Sequence, residues 1–361
     1  MLTNLLALFA MAIAVLLTAL MVRFGARLGL LDYPNHRSSH HESVPRGGGL
    51  AIVAASLAAV ILNNLLTADH PASDIDPGSR HLVLISLLAG LPIAMVGALD
   101  DWRGVPARLR LLTQVIVVTM LLLLLAPLPG FLIYPGFALP SPLLWIGLMI
   151  FGVAWINFHN FMDGIDGLAA SQAIFILVAA SVLGLIAGVE LVHDDPIRVL
   201  MLCTAGATAG FLVLNWAPAR IFMGDAGSTW LGFMIFAFAI ITTAAGWMNF
   251  ATWLILGAPF VVDASVTLLT RICGGEPWHL AHRSHAYQRA TRALEHHGHS
   301  RTSAHRLVCL SFTLINGAWL LPIAFASQHW PAWSFWLALG AYVPLVILAV
   351  RLGAGRSVGP T

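Results

Sequence analysis

Apolar stretches of about twenty residues recur along the chain, separated by short polar breaks, and no other feature restricts its fold as tightly. An α-helix needs about 20 predominantly apolar residues to cross ~30 Å of hydrocarbon. In lipid, every backbone polar group must also be satisfied internally. The stretches fall at about 4–22, 49–66, 82–99, 110–127, 142–159, 168–189, 198–215, 229–246, 250–270, 307–327 and 332–350. Helix-stopping residues mark several breaks, among them Pro127-Leu-Pro-Gly130 and Trp330-Pro-Ala-Trp333. Only 9% of the 361 residues are charged, against roughly 25% in a soluble domain. The pattern predicts an all-α fold: one polytopic membrane helix bundle spanning 1–361, with about 10–11 transmembrane helices. The first stretch has no basic residue before it and Arg23 and Arg27 after it, the reverse of a cleaved signal, so it reads as a retained helix.

Arginine placement sets the expected orientation. With the N-terminus outside, sixteen of the eighteen arginines lie in cytoplasmic loops or at their edges, and only Arg80 and Arg198 lie outside. The predicted cytoplasmic segments are about 23–48, 100–109, 157–167, 216–228 and 271–306. A net charge of +2 gives no case for nucleic-acid binding. Two of the three cysteines, Cys203 and Cys309, fall in apolar spans, which argues against a disulfide framework or a cysteine-based zinc site.

Acids gather in the same segments. Asp100 and Asp101 end the third span, where adjacent carboxylates require a raised pKa or a nearby cation. One reading makes a base or a magnesium site of them; the other is an interfacial pair balanced by Arg103, Arg108 and Arg110. Asn157, Asn160, Asp163 and Asp166 recur every third residue. That spacing drifts around a helix, so the four converge only if the helix ends, which Gly164 and Gly167 allow. Their oxygens suit a hard cation. Asp225, within Phe222-Met-Gly-Asp-Ala-Gly-Ser228, lies just before a span, where Ser228 is the expected N-cap.

Two further segments are candidates for phosphate contact. Residues 32–49 carry Arg37, His40, Arg46 and then Gly47-Gly48-Gly49. Glycine N–H groups and guanidinium forks suit anions, but a basic loop ending in a flexible hinge fits equally. His282 and His285, with Arg283 and Arg289 beside them, read more readily as phosphate contacts than as zinc ligands. Asp263, inside the ninth span, needs a polar partner or cavity. A pair with Arg271 is geometrically stretched, and a site-lining role is the alternative.

These segments resemble the polyprenyl-phosphate N-acetylhexosamine-1-phosphate transferase superfamily. The resemblance runs over residues 32–289 in family order: Pro34…Arg37…His40…Pro45-Arg46-Gly47-Gly48, Asp100-Asp101, Asn157 to Leu168, Phe222 to Ser228, and His282-Arg-Ser-His285-Ala-Tyr-Gln288. It implies a cytoplasmic site in a bacterial inner membrane. It also implies transfer of a sugar 1-phosphate from a UDP-N-acetylhexosamine to undecaprenyl phosphate, with Mg²⁺ as metal and Mn²⁺ as a substitute. Matched by position, Asn160 and Asp225 look like metal contacts, Asp100, Asp101 and Asp163 like catalytic carboxylates. Arg37, His40, Arg46, Asn157, Asp166, His282 and His285 then look like substrate contacts. The lipid I-forming branch carries three consecutive histidines, whereas this chain matches at two. Its motif resembles instead the branch that initiates O-antigen with GlcNAc, FucNAc or QuiNAc phosphates, which disfavours UDP-MurNAc-pentapeptide. The implied partners are the two substrates, the bilayer and, in a homodimer, a second copy.

A transporter of anionic substrates would share the spans and the buried charges. It would place its polar groups near the bilayer midplane, often with inverted repeats. Gathering at one interface favours an enzyme.

Overall fold

The computed structural model describes residues 2–25, 27, 29, 31–32, 43–67, 77–126, 128, 132–134, 137–138, 140–186, 195–277 and 282–356. Its helices are α1 (Leu2–Phe24), α2 (Gly49–Leu66), α3 (Pro77–Arg103), α4 (Ala107–Leu124), α5 (Ser141–Phe161), α6 (Leu168–Ile186) and α7 (Pro196–Asn215). They continue with α8 (Gly224–Ala244), α9 (Phe250–Leu256), α10 (Ala258–Cys273), α11 (Ala286–His296), α12 (Arg301–Leu314), α13 (Leu321–His329) and α14 (Ser334–Arg351). Two short antiparallel pairs, β1–β2 (Leu31–Asp32 with Val44–Pro45) and β3–β4 (Leu132–Tyr134 with Phe137–Ala138), lie between helices. Among the described residues, ten helices are long and apolar enough to cross a membrane, or eleven if α9 and α10 together make one span. The all-α polytopic bundle is therefore what the hydropathy pattern predicts.

Burial is distributed as lipid solvation requires. Large apolar side chains such as Met95 and Leu314 are about 70% exposed, which in a water-soluble protein would make adhesive patches. At the α13–α14 turn, Trp330, Trp333 and Trp336 are all exposed, in keeping with an interfacial aromatic belt. The middle of the bundle is α8, buried from Ala226 to Thr242 and packed by α2, α3, α5, α6 and α9. Where α1 crosses α7, Gly206 and Gly210 face the backbone oxygens of Ala7 and Met11 so closely that a Cβ would clash. Small residues four apart let two membrane helices approach in this way.

Three features depart from the sequence reading. The stretch 250–270 is two helices bent by 74° at Gly257, with Pro259 in the first turn of α10 and the Trp155 ring filling the space a side chain at 257 would need. The carbonyl freed there is satisfied across the bundle: Gln172 Nε2 donates to Leu256 O at 3.1 Å, and Asn316 Nδ2 donates to Gln172 Oε1 at 2.7 Å. Asn316 itself lies in a π-helical turn, Ile315–Leu320, between α12 and α13. Second, the polar segment 271–306 contains α11, whose Ala286, Tyr287 and Thr291 face inward. Third, α8 begins at Gly224, so Asp225 sits in its first turn and Ser228 is not its cap.

Candidate active site

Four helix ends meet at one end of the bundle. Asp100 lies in the last turn of α3, Arg110 in the first turn of α4, Asn160 in the last turn of α5 and Asp225 in the first turn of α8. Arg110 Nη1 donates to Asp100 Oδ2 and to Asp225 Oδ2, each at 2.5 Å. Asn160 Nδ2 donates to Asp225 Oδ1 at 3.0 Å and to Ser228 Oγ at 2.9 Å. One guanidinium thus holds together two carboxylates separated by more than a hundred residues of chain. The Arg110, Asp100 and Asp225 side chains keep 35%, 16% and 25% exposure, so the cluster can be reached by a ligand. The sequence reading named Arg110 only as one of three arginines that could balance the Asp100–Asp101 pair, not as a link to Asp225. The signal that finds it is its position: one turn into a helix that leaves the same short turn as Asp100.

The neighbouring acid does something different. Asp101 is buried, and its two oxygens accept the backbone N–H groups of Asp225 (3.0 Å) and Ala226 (3.2 Å). It caps α8 from another helix, satisfying amides that a helix start leaves without partners. Gly224 makes room for it: a Cβ there would press on the Asp101 carboxylate. Arg46 lies close enough to Asp101 to attract it electrostatically. The glycines after Arg46 are spent on packing. Gly48 N and Gly49 N donate to Phe222 O (3.0 Å) and Met223 O (2.9 Å), and Gly49 rests on the backbone of Gly227. Those two amides are therefore committed to protein, and the anion-cradle reading is corrected for Gly48 and Gly49. Arg37 and His40 fall outside the described residues.

The Asn157-to-Asp166 segment does not converge on one point. Helix α5 ends at Phe161, and the four polar side chains part company. Asn157 Nδ2 donates to Gln114 Oε1 on α4 at 2.7 Å. Asp166 Oδ2 accepts from Ala219 N (3.1 Å) and pairs with His305 Nδ1 (3.2 Å). Burial alone would raise the Asp166 carboxyl, but the His305 contact and the Ala219 amide outweigh it and hold the group low. Asp163 goes the other way. Burial first, then the carboxylates of Asp225, Asp101 and Asp166, push it well above the ordinary range. Of the four, only Asn160 and Asp163 face the Asp225 cluster.

His282 and His285 stack, with ring centroids 4.9 Å apart. His285 is buried and its Nδ1 lies 3.1 Å from Asp263 Oδ1. His282 Nδ1 meets Ser284 Oγ at 3.0 Å. Burial, then the charges of His285 and Arg271, push His282 down to about 4. Tyr287 OH donates to Phe161 O at 2.9 Å and packs on Gly164, docking α11 against the turn that carries Asp163. Arg271 pairs with Glu276 at 2.6 Å, so Asp263 has partners other than Arg271.

The donor set is hard and oxygen-rich: the carboxylates of Asp100, Asp163 and Asp225 and the amide oxygen of Asn160. Among the described residues, no three or more His, Cys, Asp or Glu side chains are arranged to hold a metal by themselves. A hard cation that completes its shell with water and phosphate oxygens needs only one or two such carboxylates.

Residues 83–243 match the family model described as Glycosyl transferase family 4. A probable undecaprenyl-phosphate N-acetylglucosaminyl 1-phosphate transferase of Bacillus subtilis (strain 168) is 28% identical over 76% of this chain and 73% of its own length. A phospho-N-acetylmuramoyl-pentapeptide-transferase of Desulforudis audaxviator (strain MP104C) is 32% identical over 67% of this chain and 73% of its own. A decaprenyl-phosphate N-acetylglucosaminephosphotransferase of Mycobacterium leprae (strain TN) is 34% identical over 61% of this chain. The match spans only 56% of that relative's length.

Proposed function

The chain belongs to glycosyl transferase family 4, and from that footing we propose that it transfers an N-acetylhexosamine 1-phosphate from a UDP-sugar to undecaprenyl phosphate. An oxygen of the acceptor phosphate attacks the sugar-bearing phosphorus, the bond to the uridine-linked phosphate breaks, and UMP leaves with the electron pair. The observation that carries this reading is the junction of Asp100, Asn160 and Asp225 around Arg110, from four helices at one bundle end.

Transfer between phosphates crowds negative charge, so positioning and neutralisation carry most of the catalysis. Asn160 and Asp225 are the residues to hold Mg²⁺, which when bound would neutralise the donor's diphosphate and stabilise the departing phosphate. Arg110 can then turn its fork from the carboxylates to phosphate oxygens, a geometry guanidinium suits. Asp100, the more accessible member of the aspartate pair, is the group to orient the acceptor phosphate or take its proton. Asp163, raised by burial and its acidic neighbours, is the carboxyl offered for proton transfer. His285, and His282 stacked on it, are placed in the role of donor contacts. The acceptor's tail belongs in lipid, in keeping with a site at the edge of a membrane bundle, and the arginine bias supports a cytoplasmic edge. The histidine motif favours GlcNAc, FucNAc or QuiNAc phosphate and initiation of O-antigen or another envelope polysaccharide.

The test is purified protein with undecaprenyl phosphate and a panel of labelled UDP-N-acetylhexosamines that includes UDP-MurNAc-pentapeptide. The reading expects UMP and a lipid-linked diphosphosugar from a member of the first group. Turnover of the pentapeptide donor alone would move the chain to the lipid I-forming activity. No UMP from any donor would end the proposal.

A further inference from the structure

Asp263 is buried in α10, inside a span, where an acid without partners is costly. Four donors converge on it. Its Oδ1 accepts from Ala286 N at 2.9 Å and from Thr267 Oγ1 at 3.2 Å, and its Oδ2 accepts from Tyr287 N at 2.9 Å. The fourth donor is His285 Nδ1, 3.1 Å from Oδ1. Ala286 and Tyr287 open α11, so a carboxylate on one helix caps the start of another and grips the residue just before it.

We propose that Asp263 is a positioning residue that fixes the tautomer of His285 and so decides which ring nitrogen meets the donor. A carboxylate is acceptor-only, so the nitrogen facing it must carry a proton. Nδ1 is thereby the N–H, and Nε2 is left with its lone pair, free to take a proton and, once protonated, to donate to a phosphate oxygen. The ring cannot swing away, because it is held on three sides: His282 stacks at 4.9 Å, Tyr287 at 5.8 Å, and Phe161 packs at 5.9 Å. An orienting partner on the far nitrogen of a histidine is a recurrent device for setting tautomer and direction. In the capping box of α11, His285 N donates to Gln288 Oε1 at 3.4 Å and the Gln288 backbone N–H approaches the His285 side chain, so backbone and ring are held at the same helix start.

The catalytic part of this inference rests on the transferase reading; the tautomer does not, and the experiment separates them. Full-length protein in detergent, labelled with ¹⁵N-histidine, is examined by NMR under conditions that keep imidazoles neutral, with His285→Asn identifying the resonance. His285 is expected as the Nδ1–H tautomer in the parent and as a mixture, or Nε2–H, in Asp263→Asn. An Nε2–H signal in the parent overturns the proposal even if transfer activity is found. In a double-mutant cycle, Asp263→Asn and His285→Gln each lower kcat at least tenfold, and the double variant is no worse than the weaker single variant. Multiplying losses would show that Asp263 acts on folding alone and refute the positioning role. If no donor is turned over, the NMR outcome still decides the tautomer.

Discussion

Asp101→Ala separates the two adjacent aspartates. In the structure its carboxylate accepts from the amides of Asp225 and Ala226 at the start of α8. Truncation orphans both where water is scarce, and a buried donor left unpaired costs about 1–3 kcal/mol. Two amides set the scale, and relief of repulsion between Asp101 and Asp225 trims it, leaving a loss of about 2–4 kcal/mol. For a chain this long, 1 kcal/mol moves the midpoint by roughly 2 °C, so the apparent Tm should fall by about 4–8 °C. Thermal challenge in detergent, read by size-exclusion of the surviving monodisperse protein, measures this. Asp100→Asn is the control. Its Oδ1 accepts from Val105 N in a partly exposed turn and its Oδ2 from Arg110, so it should lose turnover with a shift no more than half as large. An unchanged midpoint for Asp101→Ala, or equal shifts for the two variants, would refute the division of labour.

Glycines give a sharper contrast. Gly49→Ala places a Cβ within 2.1 Å of the Gly227 Cα, and because backbone cannot yield there it should cost about 3 kcal/mol or more; Gly147→Ala in α5 meets nothing within 4 Å and should be neutral or stabilising by up to about 1 kcal/mol, both read as detergent Tm. Gln172→Leu strips the partner from Leu256 O and from Asn316 Nδ2. It should destabilise by about 2–4 kcal/mol while leaving the acid cluster unaltered, measured as Tm alongside Mn²⁺ binding by EPR. His282 is held down to about 4 from an ordinary 6.5. The unfolded chain therefore binds the extra proton first as pH falls, and the stability His282 contributes is whole above about 6.5 and drains away towards 4. His282→Gln should flatten the fall in Tm between those values; an unaltered pH profile would count against a neutral, half-buried ring.

The spans were legible because hydropathy averaged over about twenty residues is insensitive to neighbours. That is why α2 matches its reading residue for residue. The bend at Gly257 was not, although Gly257-Ala-Pro259 carries a local signal, because the stretch is apolar throughout and its cost is offset by Gln172, 84 residues away. The acids were found by their types. Their division into structural and reactive groups was hidden, since Asp101 and Asp166 are claimed by amides and a histidine more than fifty residues off. Glycines at 47–49 look alike as an anion loop or as a packing seam; only the opposing Gly227 tells them apart.

Because α8 is enclosed by protein on every side from Ala226 to Thr242, the carboxylate at its tip rides on a fixed axle. Nothing that bends, slides or tilts to admit a bulky donor can be α8 itself without tearing its surroundings. Adaptation to substrates of different size must fall to the periphery, to elements such as the β1–β2 ribbon rather than to the clamped start of α11. Natural variation in donor choice should therefore be sought at the rim, with the hub kept constant.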